Sequence, residues 1–160
     1  MRKMLYDLVT GYAAATGCPC EAEEGSCRAL LSIEGLSVHV GLVESSGMIV
    51  LQTGVALLPG PGTEGREAFC LQLLAANNLF SNTMGFTLGV DAEQELVTLQ
   101  IAWDLCQLDA DSFALVVNNL LAVAADWIVR LDAWHPSASD DGGQCAASSD
   151  EALAMHFMKV

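Results

Sequence analysis

The stretch Leu73–Asp91, LLAANNLFSNTMGFTLGVD, decides the fold. It reads as the end of an apolar helix, a polar turn, and a strand in which Phe86, Leu88 and Val90 alternate before an acidic loop. Upstream, EAFCLQLLAANNLF (67–80) places Phe69, Leu73, Ala76 and Phe80 on one side of the helix. Leu71, Leu74 and Asn78 then spread the apolar surface over more of its circumference than a half-solvated helix carries. Thr63, in the loop PGPGTEGRE, stands where a helix cap is expected. Downstream, DAEQE turns the chain and Val97, Leu99, Ile101 and Trp103 alternate back, so a helix followed by a hairpin is predicted.

Working outward, residues 27–59 carry three strands. Ala29, Leu31 and Ile33 alternate, then Val38, Val40 and Leu42, with turn signals at EGL and ESSG, the pattern of an antiparallel meander. The third strand is two-faced: Ile49, Leu51, Val55 and Leu57 lie on one side, and Met48, Val50, Ala56 and Leu58 on the other, around Gln52 and Gly54. An antiparallel strand with one face in water alternates more cleanly, so something of this chain or of another is expected over the second face. A first helix shows Met4, Leu5, Leu8, Val9 and Tyr12 on one stripe. A last, long helix opens at LDADSF with Asp109 or Asp111 as its N-cap. Its stripe runs Phe113, Val116, Val117, Leu120, Leu121, Ala124, Trp127, Ile128, Leu131, which must pack on a sheet. The result is an α+β fold, an antiparallel twisted sheet with helices in the order α-β-β-β-α-β-β-α, over residues 1–134. Residues 135–160 read as a flexible acidic linker, then SSDEALAMHFMKV as a short amphipathic helix with a Ser148/Glu151 capping box.

Composition limits the function. With twenty carboxylates against six Lys and Arg, the net charge of −14 argues against nucleic acid and against an anionic membrane surface. Yet 52% of residues are hydrophobic and 16% charged, so the chain has a core and more apolar surface than charge to coat it. Asp7 interrupts the N-terminal apolar run, so a helix is expected there and no signal peptide; the apolar runs read as shorter than a bilayer span, and a cytoplasmic location is expected. Cys18, Cys20 and Cys27 sit close together but lack paired knuckles and a fourth ligand for zinc; they read as reduced loop cysteines, with a Cys18/Cys20 redox pair as a distant reading. His39, His135 and His156 have no ligand spacing, and no nucleophile elbow, Walker loop, dinucleotide fingerprint or EF-hand loop occurs. No catalytic residue, metal or cofactor is expected, so a surplus of apolar surface for a protein partner remains as the functional signal.

The element order, and above all LLAANNLF, GFTLGVD and the LDADSF entry to a helix ending ADWIVRL, resembles the class I chaperones of bacterial type III secretion, the Tir chaperone family. The cysteine-rich segment and the tail beyond Trp134 depart from that pattern. The resemblance implies a homodimer that holds the N-terminal segment of a secreted effector extended without ATP, with a secretion-apparatus ATPase as a further partner. It implies effector contacts from Leu5 and Leu8 of the first helix and from Leu31, Ile33, Val40, Leu42, Val50 and Gln52 of the meander, partly by strand addition. It implies a dimer contact through Leu71, Leu74, Asn78, Phe86 and Leu88. The alternative is a regulatory or sensory domain of the same fold that binds a folded protein and has no secretion role.

Overall fold

The protein, seen in a computed structural model, is described over residues 1–80 and 82–134. The expected C-terminal helix with its Ser148/Glu151 box, and His135, Cys145 and His156, lie outside the described residues. Helix α1 spans Arg2–Thr16 and stops at Gly17, whose φ of 73° lies in the left-handed region that glycine enters without a Cβ clash. Strands β1 (Cys20–Ala22), β2 (Arg28–Ile33), β3 (Leu36–Val43) and β4 (Met48–Leu57) follow, then helix α2 (Arg66–Ala76), strands β5 (Thr87–Asp91) and β6 (Leu96–Asp104), and helix α3 (Ala110–Asp132). The six strands form one antiparallel sheet in the order β1-β2-β3-β4-β6-β5.

Alternation along the strands separates two faces. One carries Ala29 and Leu31, Val38, Val40 and Leu42, Ile49, Leu51, Thr53 and Val55, Leu88, Val97 and Leu99, all buried. α3 lies across it with Phe113, Val117, Leu120 and Ala124, none more than 1% exposed. α1 adds Leu5, Val9 and Tyr12, and the Tyr12 ring meets Phe113 edge-on at 5.9 Å while its hydroxyl donates to Asn118 Oδ1 at 3.0 Å. α2 closes the far end: Phe69 packs edge-on against Trp134 at 4.9 Å, with Leu73 and Ala76 buried beside it. All three helices therefore sit on one side of the sheet.

Local chemistry fixes the joints. Asp109 caps α3: its carboxylate accepts from the Ser112 N–H at 2.8 Å and from the Ser112 hydroxyl, which also accepts from the Asp109 N–H. These bonds, the hydroxyl's first, hold the Asp109 carboxyl below its ordinary pKa. Arg2 forks onto Glu44 at 2.8 and 2.7 Å, tying the start of α1 to the β3–β4 turn, and the same bond lowers the Glu44 pKa. Both groups are exposed, so this pair orients the helix more than it stabilises the fold.

The structure corrects several expectations. The cysteine segment contains β1, whose Cys20 faces Leu31, so the meander has four strands where three were predicted; three residues are too few to show alternation. α2 starts at Arg66 on Gly65, and no side chain caps it, so Thr63 is not its cap; the helix ends at Ala76 and a 3-10 turn, Asn78–Phe80, follows. Phe80 is exposed as a result. A bulge at Val55 lets Ala56 pair with Val97 where Gly54 pairs with Thr98, which exposes Leu57 to 76% and buries Leu58, the reverse of strict alternation. α3 is 23 residues long with a window of mean hydropathy 1.7, enough by length and composition to cross a bilayer, contrary to the expectation for the apolar runs. Its buried stripe lies on the sheet, as the core helix of a globular domain does.

Phe113→Ala should cost about 3–5 kcal/mol in urea unfolding, as expected for an emptied core site. Thr53 is fully buried and its hydroxyl has no partner among the described residues, so Thr53→Val, which keeps the shape, should raise stability by about 1 kcal/mol. The lowered Asp109 pKa contributes stability that is present above the ordinary carboxylate range and lost as pH falls through the folded value. Urea midpoints against pH should therefore fall less steeply on the acid side for Asp109→Asn than for the natural chain.

Candidate functional site

Among the described residues, no helix covers the other side of the sheet. Its rows follow from the strand registers: Leu30, His39, Gln52, Gln100 and Thr87 lie in one line across five strands, and Arg28, Gly41, Val50 and Ala102 in the next. The sheet's twist makes this face a groove of about 660 Å³, lined among others by His39, Gly41, Val50, Gln52, Leu57 and Leu96. Glycine shapes its floor: a Cβ on Gly54 would come within 2.9 Å of Leu96 Cδ2, so Leu96 lies over that backbone only because the position is glycine. Small and amide side chains with apolar ends suit an extended polypeptide better than a small metabolite.

A second recess of about 870 Å³ opens on the helical side, between the C-terminal part of α1, the middle of α3 and the β2–β3 turn. Ile33 and Leu36 face Leu121 and Ile128 there, with Cys18 at the edge and Ala122 and Ala125 on the α3 wall. A third surface is the outer side of α2, where Leu71 is 58% and Leu74 66% exposed, continued by the exposed Phe80 and Met84. Patches of this kind on a chain of net charge −14 mark protein contact sites.

The expected site residues divide by burial. Val50 and Gln52 line the groove and Ile33 the recess, while Leu8 is half-buried on α1. Leu5, Leu31, Val40 and Leu42 are 8% exposed or less in this chain's own core, and Val40 also lines the groove; in alternating strands their neighbours face outward. Leu71, Leu74 and Asn78 are exposed on α2 and the turn after it. Phe86 and Leu88 are buried within one protomer, at 3% and 5% exposed. Sequence reasoning missed Leu36, Leu57, Leu121 and Ile128 as surface positions; Gly54 was the one hint of the bulge that turns Leu57 out.

The two sheet edges differ. Asn77 lies beside β5 and donates from Nδ2 to the Leu88 carbonyl at 2.9 Å while accepting the Leu88 N–H on Oδ1 at 2.8 Å. Those are backbone groups that an added strand would use, so the β5 edge is blocked at Leu88. β1, at the other edge, pairs on one side with β2. Beside it, Cys18, Cys20 and Cys27 are free and half-buried, and burial pushes the Cys20 thiol up, which keeps it protonated and a poor nucleophile. Among the described residues no group of three or more His, Cys, Asp or Glu is placed to hold a metal ion.

The family model of the Tir chaperone protein (CesT) family matches residues 7–128. No curated protein sequence matches the chain significantly. Solved structures share its fold. The ExsC–ExsE complex aligns with TM-score 0.66 at 22% identity, over 87% of this chain and 98% of that one. The HopA1–SchA chaperone–effector complex aligns with TM-score 0.60 at 15% identity, covering 80% and 95%. The Yersinia pestis type III secretion chaperone SycH, in complex with a fragment of YscM2, aligns with TM-score 0.54 at 18% identity, covering 76% and 98%.

Burial sorts two superficially equal substitutions. Leu31→Asp should abolish cooperative unfolding, because it puts a charge in the core. Val50→Asp, on the open face, should leave the circular dichroism spectrum and a sharp thermal transition in place.

Proposed function

The chain belongs to the Tir chaperone protein (CesT) family, and from that premise we propose that it is a non-enzymatic chaperone that binds the N-terminal segment of a type III secreted effector and keeps it ready for secretion. The observation that carries this reading is the sheet whose described helices all lie on one face, with a groove of about 660 Å³ on the other. Val50, Gln52 and Leu57 would contact an extended client there, Ile33 and Leu8 would contact it on the helical side, and the free edge of β1 would accept a strand. Main-chain bonding and shallow apolar contact tolerate varied client sequences, and neither needs nucleotide hydrolysis. A bacterial cytoplasmic location, where clients are made, follows from this role.

The same reading gives a homodimer through α2. Leu71 and Leu74 are two large apolar side chains on one exposed helix face, and a second copy across a two-fold axis would cover both at once. Asn78, at the end of the strip, would lie at the rim.

Co-purification of the chain with its client, followed by limited proteolysis, tests the function. A chaperone shields an N-terminal stretch of the client; protection confined to a folded client domain would instead fit the regulatory alternative. For the dimer, Leu74→Asp should shift light-scattering mass to that of one subunit at micromolar concentration, and an unshifted mass would place the contact elsewhere.

A further inference from the structure

Gly41, Gly54 and Gly89 lie within strands, and two of them answer to this chain's own packing. A Cβ on Gly54 would meet Leu96 Cδ2 at 2.9 Å, and one on Gly89 would meet Thr98 Oγ1 at 3.3 Å. Gly41, inside β3, differs: among the described residues a Cβ there meets nothing within 4 Å, and its φ does not lie in the left-handed region. Glycine weakens a strand interior, so a β-branched side chain at this position would serve the fold better. A strand glycine that the chain itself does not need marks a place where another molecule comes close to the backbone.

The neighbours of Gly41 indicate what that molecule carries. The register sets Arg28 of β2 and Val50 of β4 beside it, each one strand spacing of about 4.8 Å away, and His39 follows along β3 at about 7 Å. All three line the open-face groove with it, so the glycine is the floor of a slot walled by a cation, an imidazole and an aliphatic side chain. Arg2, Lys3 and Arg130 are ion-paired and Arg66 donates to the Pro59 carbonyl, whereas the Arg28 side chain has no partner among the described residues. A client carboxylate would meet Glu21, which pairs with Leu30 on this same face, and a chain of net charge −14. A flat ring meets neither objection. It covers bare backbone, as aromatic neighbours do for glycines in sheets, and its negative face complements an unpaired cation. We infer that the groove holds its extended client by an aromatic side chain laid over Gly41, with Arg28 stacked on the ring. This rests on the chaperone reading for the client and adds what the client must carry, a Phe, Tyr or Trp at the position that reaches β3. Gly41 is then a specificity-determining residue, kept small although a larger side chain would stabilise the strand.

The probes are synthetic peptides Thr-Val-Thr-X-Thr-Val-Thr with Phe, Leu or Glu at X, titrated into the isotope-labelled full chain and followed by NMR. The Phe peptide should bind about two- to fivefold more tightly than the others and move the Gly41 α-proton resonances upfield through its ring current. Arg28→Met, which keeps an apolar stem and removes the cation, should bring the Phe peptide to the affinity of the Leu peptide and leave the latter unchanged. Gly41→Val should raise the thermal midpoint by about 2–4 °C and abolish the Phe preference. Preference for the Glu peptide, equal affinity for all the peptides, or no shift at Gly41 overturns the inference. A Gly41→Val chain that melts at lower temperature overturns it too, because the glycine would then serve the fold. No client enters these titrations, so they fail separately from the proteolysis test: an aromatic preference without client shielding removes the chaperone reading alone, and shielding without the preference removes this inference alone.

Discussion

Everything in this structure depends on the seating of α3 across β4. Phe113, Val117, Leu120 and Ala124 press on the sheet face that holds Ile49, Leu51 and Val55, and the helix is long enough to serve the neighbouring strands as well. Close packing of that layer is the main source of stability, since the ion pairs are few and exposed. It also uses up the helices. With α1 and α2 drawn to the same side by Tyr12, Phe69 and Trp134, none of the described helices is left for the other face of the sheet. Stability and the open surface thus come from one arrangement, in which one face is filled completely and the other is left to whatever arrives.

The sequence carried this arrangement unevenly. The stripe from Phe113 to Leu131 and the alternation in β2 and β3 are strong periodic signals that the structure follows, whereas in β6 Val97 and Leu99 are buried but Thr98 is buried too and Trp103 is exposed. The two-faced pattern of β4 pointed correctly to an unusual second face. β1 was not legible because three residues hold one period and a half, and its pairing with β2 is a tertiary choice. The Leu57/Leu58 inversion was hidden because a bulge depends on the partner strand, here on Leu96 folding over Gly54. For the site, hydrophobicity identified which elements matter but not which side of them is free. Leu31 and Val40 look like Val50 in the sequence, and the sheet's sidedness alone separates core from surface.

The acidity has a place in the same account. Asp91, at the end of β5, lines the open-face groove, and Glu34, in the β2–β3 turn, lines the recess, each among apolar side chains. Net negative charge of this size keeps copies apart in solution while short-range apolar contact remains possible for a correctly placed partner. In the dimer proposed above, Leu71 and Leu74 would need the geometric match of a two-fold interface to overcome the repulsion, which favours a defined contact over indiscriminate association.

Asn77 spends its side chain on one rim of the sheet. Its amide occupies both backbone groups of Leu88. A strand arriving on that rim would find those two groups already taken, which works against the rim-to-rim pairing that builds ribbons.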